Sequence, residues 1–150
     1  MNRRSLAGWS MAALVAGAAV VATQPQARAA DAKGVEFFES KIRPILAQNC
    51  IGCHGPEKQK GGLRLDTREH LIAGGKEDDK TIVVYDPAKG DKMMLIEAVE
   101  YKNEDLQMPP PKKGKSMKLK DAEITAFKEW VKMGVPYGEK PVEAAAGADK

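Results

Sequence analysis

Cys50-Ile51-Gly52-Cys53-His54 sets two thiols three positions apart, with an imidazole immediately after the second. Two thiols at that spacing can each add to one vinyl group of a single haem. The neighbouring histidine then reaches the iron as proximal ligand, which makes this the c-type haem attachment sequence. The chain holds only these two cysteines in its 150 residues, so the spacing is not selected from many. Three other chemistries use the same residue types. A disulfide-active C-x-x-C wants a βαβ thioredoxin pattern around it, and none surrounds this one. A structural zinc site wants four ligands; Cys50, Cys53 and His70 supply three, and there is no second C-x-x-C. A plain disulfide outside the cytosol leaves His54 without a role. Haem attachment uses all three residues.

A sixth iron ligand is sought among Met93, Met94, Met108, Met117, Met133 and His70. Met108 is best placed. It opens a segment with three consecutive prolines, where a thioether can project without belonging to the packed face of a helix. Met94 and Met133 fall at helical spacing among apolar neighbours and are expected in the core. Met117 stands among lysines and is expected to be exposed. His70, at a helix end, reads as a polar surface residue; it and an open sixth site are the alternatives. A His/Met pair raises the reduction potential and fills both axial positions. Electron transfer is then favoured over oxygen or peroxide chemistry, with axial ligand, burial and hydrogen bonds setting the potential.

The elements that position these residues are mostly helical. Val35, Phe38, Ile42, Ile45 and Leu46 recur at helical spacing, so residues 35–46 read as a helix that leads to Cys50. Pro44 removes one amide donor and predicts a kink or an opened turn. Residues 55–62, with three glycines and a proline, are loop. Residues 67–72 form a short helix ended by Gly74-Gly75. Residues 81–85 are β-branched but too short and isolated to imply a sheet. Pro87-Ala88-Lys89-Gly90 is turn-like. Residues 93–101 form a helix with Met94, Leu95, Ala98 and Tyr101 on one side. Residues 121–133 are the clearest helix, with Ile124, Phe127, Trp130 and Val131 as its apolar stripe and Gly134 as its stop. From Glu139 on, an alanine-rich tail shows no anchor. No internal repeat is present.

The formal charge of 24 − 21 = +3 needs to be located before it is interpreted. The first thirty residues contain Arg3, Arg4 and Arg28 and no acid. Arg3 and Arg4 precede an apolar stretch from Leu6 to Ala22, and Ala27-Arg28-Ala29 fits an A-x-A cleavage site. Basic, apolar, small is the order of a secretory signal peptide. Leu6–Thr23 is near the shortest length that spans a bilayer, but alanine and glycine dominate it, so cleavage is expected in place of an anchor. The expected organisation is a signal peptide over 1–29 (cut after Ala29 or Ala30), a haem domain over 30–138, and a flexible tail over 139–150. Cleavage leaves 21 basic and 21 acidic side chains, which removes the case for a nucleic-acid-binding protein and for a membrane partner. Export agrees with haem chemistry, because covalent attachment in bacteria takes place outside the inner membrane; a periplasmic or otherwise extracytoplasmic location is expected. A buried porphyrin would also supply the apolar bulk that a core with seven aromatic residues after cleavage lacks. What remains basic is local: Lys112, Lys113, Lys115, Lys118 and Lys120 follow Met108 and are read as a docking patch for an acidic redox partner.

Several runs together carry a family likeness. Lys41-Ile42-Arg43-Pro44-Ile45-Leu46 leads into Cys50-Ile51-Gly52-Cys53-His54-Gly55. Lys60-Gly61-Gly62-Leu63-Arg64-Leu65-Asp66, Gly74-Gly75, Leu95-Ile96-Glu97-Ala98-Val99, Met108-Pro109-Pro110 and Trp130-Val131-Lys132-Met133-Gly134 follow. From about Phe38 to Pro136 the chain resembles the planctomycete-type cytochrome c domain, of the wider cytochrome c class. The resemblance implies an all-α, cytochrome c-like helical domain wrapped around one covalently attached haem, with N- and C-terminal helices crossing beside it. It implies attachment through Cys50 and Cys53, with His54 and Met108 as axial ligands. The chain departs from the family's Pro-Gly-x-Pro-x-x-Ser turn, reading Pro87-Ala88-Lys89-Gly90-Asp91-Lys92-Met93 there. The expected function is single-electron transfer by a small carrier with no enzymatic activity of its own. The alternatives are a haem peroxidase or dehydrogenase subunit with an open sixth site, and a gas sensor with five-coordinate iron.

Overall fold

A computed structural model describes residues 25–147, with the side chains of 25–30, 77 and 90–92 outside the description. Residues 1–24 of the expected signal peptide over 1–29 and the last three residues lie outside the described residues.

The chain enters through helix α1 (Pro25–Phe37), so the backbone at the expected cleavage positions is helical. A single π-helical turn, Phe38–Ile42, joins it to α2 (Arg43–Asn49). Pro44 explains the change of pitch. It has no amide to offer the carbonyl four residues back, and its ring crowds that carbonyl. The chain widens there, and the Arg43 amide reaches five residues back to the Phe38 carbonyl. The opened turn expected around Pro44 is therefore present, one turn ahead of the proline. Phe38, Ile42, Ile45 and Leu46 remain on the buried side, while Val35 is half-buried.

Helix α3 (Arg68–Ala73) starts at Thr67, whose hydroxyl accepts the His70 amide, and stops at Gly74 with φ +71. Little or no sheet was expected, and the described residues hold one short hairpin. Strands β1 (Gly75–Glu77) and β2 (Lys80–Ile82) pair antiparallel, with Lys76 opposite Thr81. Asp78 and Asp79 make the two-residue turn in the left-handed region, at φ +47 and +62. Short polar side chains tolerate that region, which is how the hairpin forms without glycine. A strand this short has no alternation to show, so composition alone did not reveal it.

The Pro87–Lys92 stretch is a 3-10 turn; Asp86 starts it, its carboxylate accepting the Ala88 amide at 3.0 Å. Helix α4 (Met94–Glu100) buries Leu95, Ile96, Ala98 and Val99, a broader face than the expected side through Met94 and Tyr101, which are only half-buried. Helix α5 (Asp121–Lys132) buries Ile124, Phe127, Trp130 and Val131, the stripe expected from its sequence.

Helix α5 packs on the π turn and on α4, so the N- and C-terminal helices meet. Phe38, Phe127, Trp130 and Tyr137 form the aromatic centre of this contact; the Phe38 and Tyr137 rings lie 4.4 Å apart and Phe127 meets Trp130 edge-on at 5.7 Å. The Trp130 indole donates to the Pro136 carbonyl at 2.7 Å, so its one polar atom is satisfied inside the core. Glu100 binds α4 to α5 through Lys128 at 2.6 Å.

The segment after Glu139 corrects the expectation of an unanchored tail. Val142 is 1 % exposed, its amide donates to the Asp66 carbonyl, and the Ala145 amide donates to that of Ala47. Alanine-rich composition hid one well-placed valine and a set of backbone bonds. Met133 is a second correction: it caps α5 and is 50 % exposed, outside the core. Met94 packs against the core and Met117 is exposed, as expected. Among the described residues no helix is long and apolar enough to cross a membrane.

Candidate haem-attachment site

Helix α2 delivers Cys50 as its cap, with the Cys50 amide on the Leu46 carbonyl at 2.9 Å. One further turn follows. The Cys53 and His54 amides both donate to the Cys50 carbonyl, at 3.0 and 2.9 Å. The backbone thus gathers Cys50, Cys53 and His54 on a single turn, and both thiols are free and half-buried. Gly55 closes the turn tightly: a Cβ there would stand 2.5 Å from the Ile51 carbonyl oxygen. Beyond it, the Lys60 amide donates to Cys53 and the Leu65 amide to His54, at 3.1 and 2.8 Å. The loop folds back on the turn.

The electrostatics of the turn favour neutral groups. Burial, with Cys53 adding to it, pushes the Cys50 thiol up to about 12. Burial also pushes His54 below the ordinary histidine value; the Leu63 and Lys60 main chain partly opposes this, and the Lys60 charge reinforces it. His54 Nδ1 is buried without a hydrogen-bond partner. A buried polar nitrogen left unpaired costs about 1–3 kcal/mol, so the protein alone does not complete this site. A neutral imidazole is the form that binds a metal, and beside two free thiols this half-buried one fits a covalently held haem.

The other candidates are distributed differently. Met108 lies in a separate loop, its amide held by the Ala98 carbonyl at 3.1 Å, and it is 37 % exposed. The Tyr101 hydroxyl, at the end of α4, donates to the Pro109 carbonyl and fixes the same loop. Lys112, Lys113, Lys115, Lys118 and Lys120 are all exposed. His70 is tied down: its Nδ1 lies 3.0 Å from Asp66 Oδ1 and 2.8 Å from the Thr67 hydroxyl. It is part of a half-buried polar cluster and not a plain surface residue.

Three residues that matter here were not singled out for their chemistry from the sequence. Asp66 is 2 % exposed and takes both Arg64 nitrogens, at 3.0 and 2.6 Å, besides His70. Burial raises its pKa, but the Arg64 bonds, its own main chain and the charges of Arg64 and His70 outweigh that and hold it below the usual carboxylate value. A cation two positions before an acid and an imidazole four after was the available signal. Arg43 makes two bonds to Glu39 and reaches the Pro141 and Lys140 carbonyls. Tyr137 donates its hydroxyl to the Leu65 carbonyl at 3.0 Å. Burial raises the Tyr137 phenol, and Cys50 and Asp66 add to the shift while Arg43 opposes it.

A small, mostly helical domain with two cysteines at C-x-x-C spacing and an adjoining half-buried histidine has the makings of a c-type cytochrome. Residues 50–112, less than half of the chain, match the family model described as Planctomycete cytochrome C, so this stretch is similar to that family. No curated protein and no solved structure matches the chain.

Proposed function

We propose that the chain is an exported electron carrier. In this reading residues 1–29 are a signal peptide cut after Ala29 or Ala30, and the haem domain begins at residue 30 and works in the periplasm or another extracytoplasmic space. Cys50 and Cys53 hold one haem, and His54 and Met108 bind its iron. The observation that carries the reading is the turn on which two free thiols precede a half-buried histidine whose buried Nδ1 has no hydrogen-bond partner. When bound, the haem supplies a one-electron couple. The residues do the rest: Cys50 and Cys53 fix position, His54 offers a neutral nitrogen, and the apolar core limits water. Met108 suits the remaining position because its side chain is not used by the core and its loop is pinned to α4.

Protein made in a host with haem-attachment machinery is expected to be low-spin in both oxidation states and to bind carbon monoxide poorly. Met108→Ala should give a high-spin, carbon monoxide-binding form. A wild type that is already high-spin contradicts the carrier reading and favours the enzyme alternative.

Lys112, Lys113 and Lys115 form the docking side for an acidic redox partner. Replacing all three by Gln should lower the association rate with an acidic redox protein roughly three- to tenfold at low salt, and much less at high salt. Equal rates at low salt contradict the docking role.

A further inference from the structure

The C-terminal segment and the histidine turn are joined by a continuous chain of bonds. The Leu65 amide donates to the His54 carbonyl, and the Leu65 carbonyl accepts the Tyr137 hydroxyl. One residue on, the Asp66 carbonyl accepts the Val142 amide at 2.8 Å, and the Val142 side chain is fully buried. The far end of the segment is held to α2, the helix that delivers Cys50: the Ala145 amide donates to Ala47 at 2.9 Å, and Arg43 takes the Pro141 and Lys140 carbonyls at 2.9 and 2.8 Å. Arg43 is itself fixed, with its guanidinium over the Phe38 ring at 5.1 Å and bonded to Glu39. Gly138 lets the segment approach that pair, since a Cβ there would collide with the Glu39 carboxylate. Two family runs, the one containing Arg43 and the one ending in Asp66, thus share the C-terminal segment as their common partner.

We propose that residues 137–145 are a strap that positions His54, clamping the Leu65-Asp66 stretch against the helix that carries Cys50. Tyr137 and Val142 are positioning residues in it; they act on His54 through Leu65 and Asp66. This rests on the haem reading, because the purpose assigned to the strap is to hold an iron ligand and keep water from it. A looser strap admits water, which favours the more highly charged oxidised iron and lowers the reduction potential.

The test uses the haem-loaded full chain with Tyr137→Phe, which keeps the ring in the aromatic centre and removes only the hydroxyl, and Val142→Ala. Thr125→Ala, which removes a hydroxyl bond to the Asp121 carbonyl on the exposed side of α5, is the control. Hydrogen exchange at the Leu65 amide should quicken roughly five- to tenfold in both strap variants, and the potential should fall; the control should change neither. Unchanged exchange overturns the strap. Faster exchange with an unmoved potential reduces it to a structural feature and overturns the positioning role, as does an equal shift in Thr125→Ala. If the wild type carries no haem, the haem reading fails, and exchange at Leu65 alone decides whether the strap exists.

Discussion

Asp66 shows how much one side chain can organise when its charge is buried and paired. It holds Arg64 and His70 by its carboxylate and Val142 by its carbonyl, so helix α3 and the C-terminal segment meet at one residue. Its pKa is held below the ordinary carboxylate value, so its ionised form stabilises the folded state. That contribution is complete above the unfolded carboxylate pKa of about 3.9 and is lost as pH falls through the lower folded value. Asp66→Asn should therefore cost roughly 1–3 kcal/mol at pH 7, and the gap from wild type should close as pH drops below about 4. Thermal melts of both proteins from pH 7 to pH 2 check this; a gap that stays constant contradicts the assigned charge state. That Cys50, Cys53 and His54 share one turn was legible in the sequence, because it follows from their adjacency along the chain; the haem chemistry read from them is the proposal. Asp66, Arg43 and Tyr137 were not singled out: beside the local pairs with Arg64, His70 and Glu39, their bonds to Val142, Lys140, Pro141 and Leu65 lie across the fold, where no local spacing announces them.

At the scale of elements, long helices with an apolar stripe were legible and close backbone contacts were not. Helix α5 buries the four residues its periodicity names, because a stripe at helical spacing has only one way to face a core. The β1–β2 hairpin escaped, since three-residue strands carry no pattern and its turn relies on two aspartates. The glycine run before it has a physical reason that the structure supplies. Gly75 passes so close to the Lys60–Gly62 turn that a Cβ would stand 2.3 Å from the Gly61 carbonyl oxygen. Gly75→Ala should thus force the hairpin away from the loop that folds back on the haem turn, at a cost of about 1–3 kcal/mol. Gly114, at φ +73 with open space around it, makes the comparison. Gly114→Ala meets no atom and should cost only the backbone strain of about 1 kcal/mol. Equal melting temperatures for the Gly75 variant and wild type contradict this close approach.

For the whole molecule, the +3 of the full chain belongs to its first thirty residues, and the remainder is formally balanced with its lysines unevenly placed. A small core with few aromatics meets through Phe38, Phe127, Trp130 and Tyr137, and Cys50 packs against the same core. In the proposed reading, the histidine turn with its supports is where the haem would be held. The most direct test is the intact mass of the denatured protein after expression with its export signal in a host that attaches haem. One haem should remain bound to each wild-type chain through denaturation and acid extraction, and none to the Cys50→Ala, Cys53→Ala double variant. A folded wild type with two free thiols and no retained haem would contradict the account.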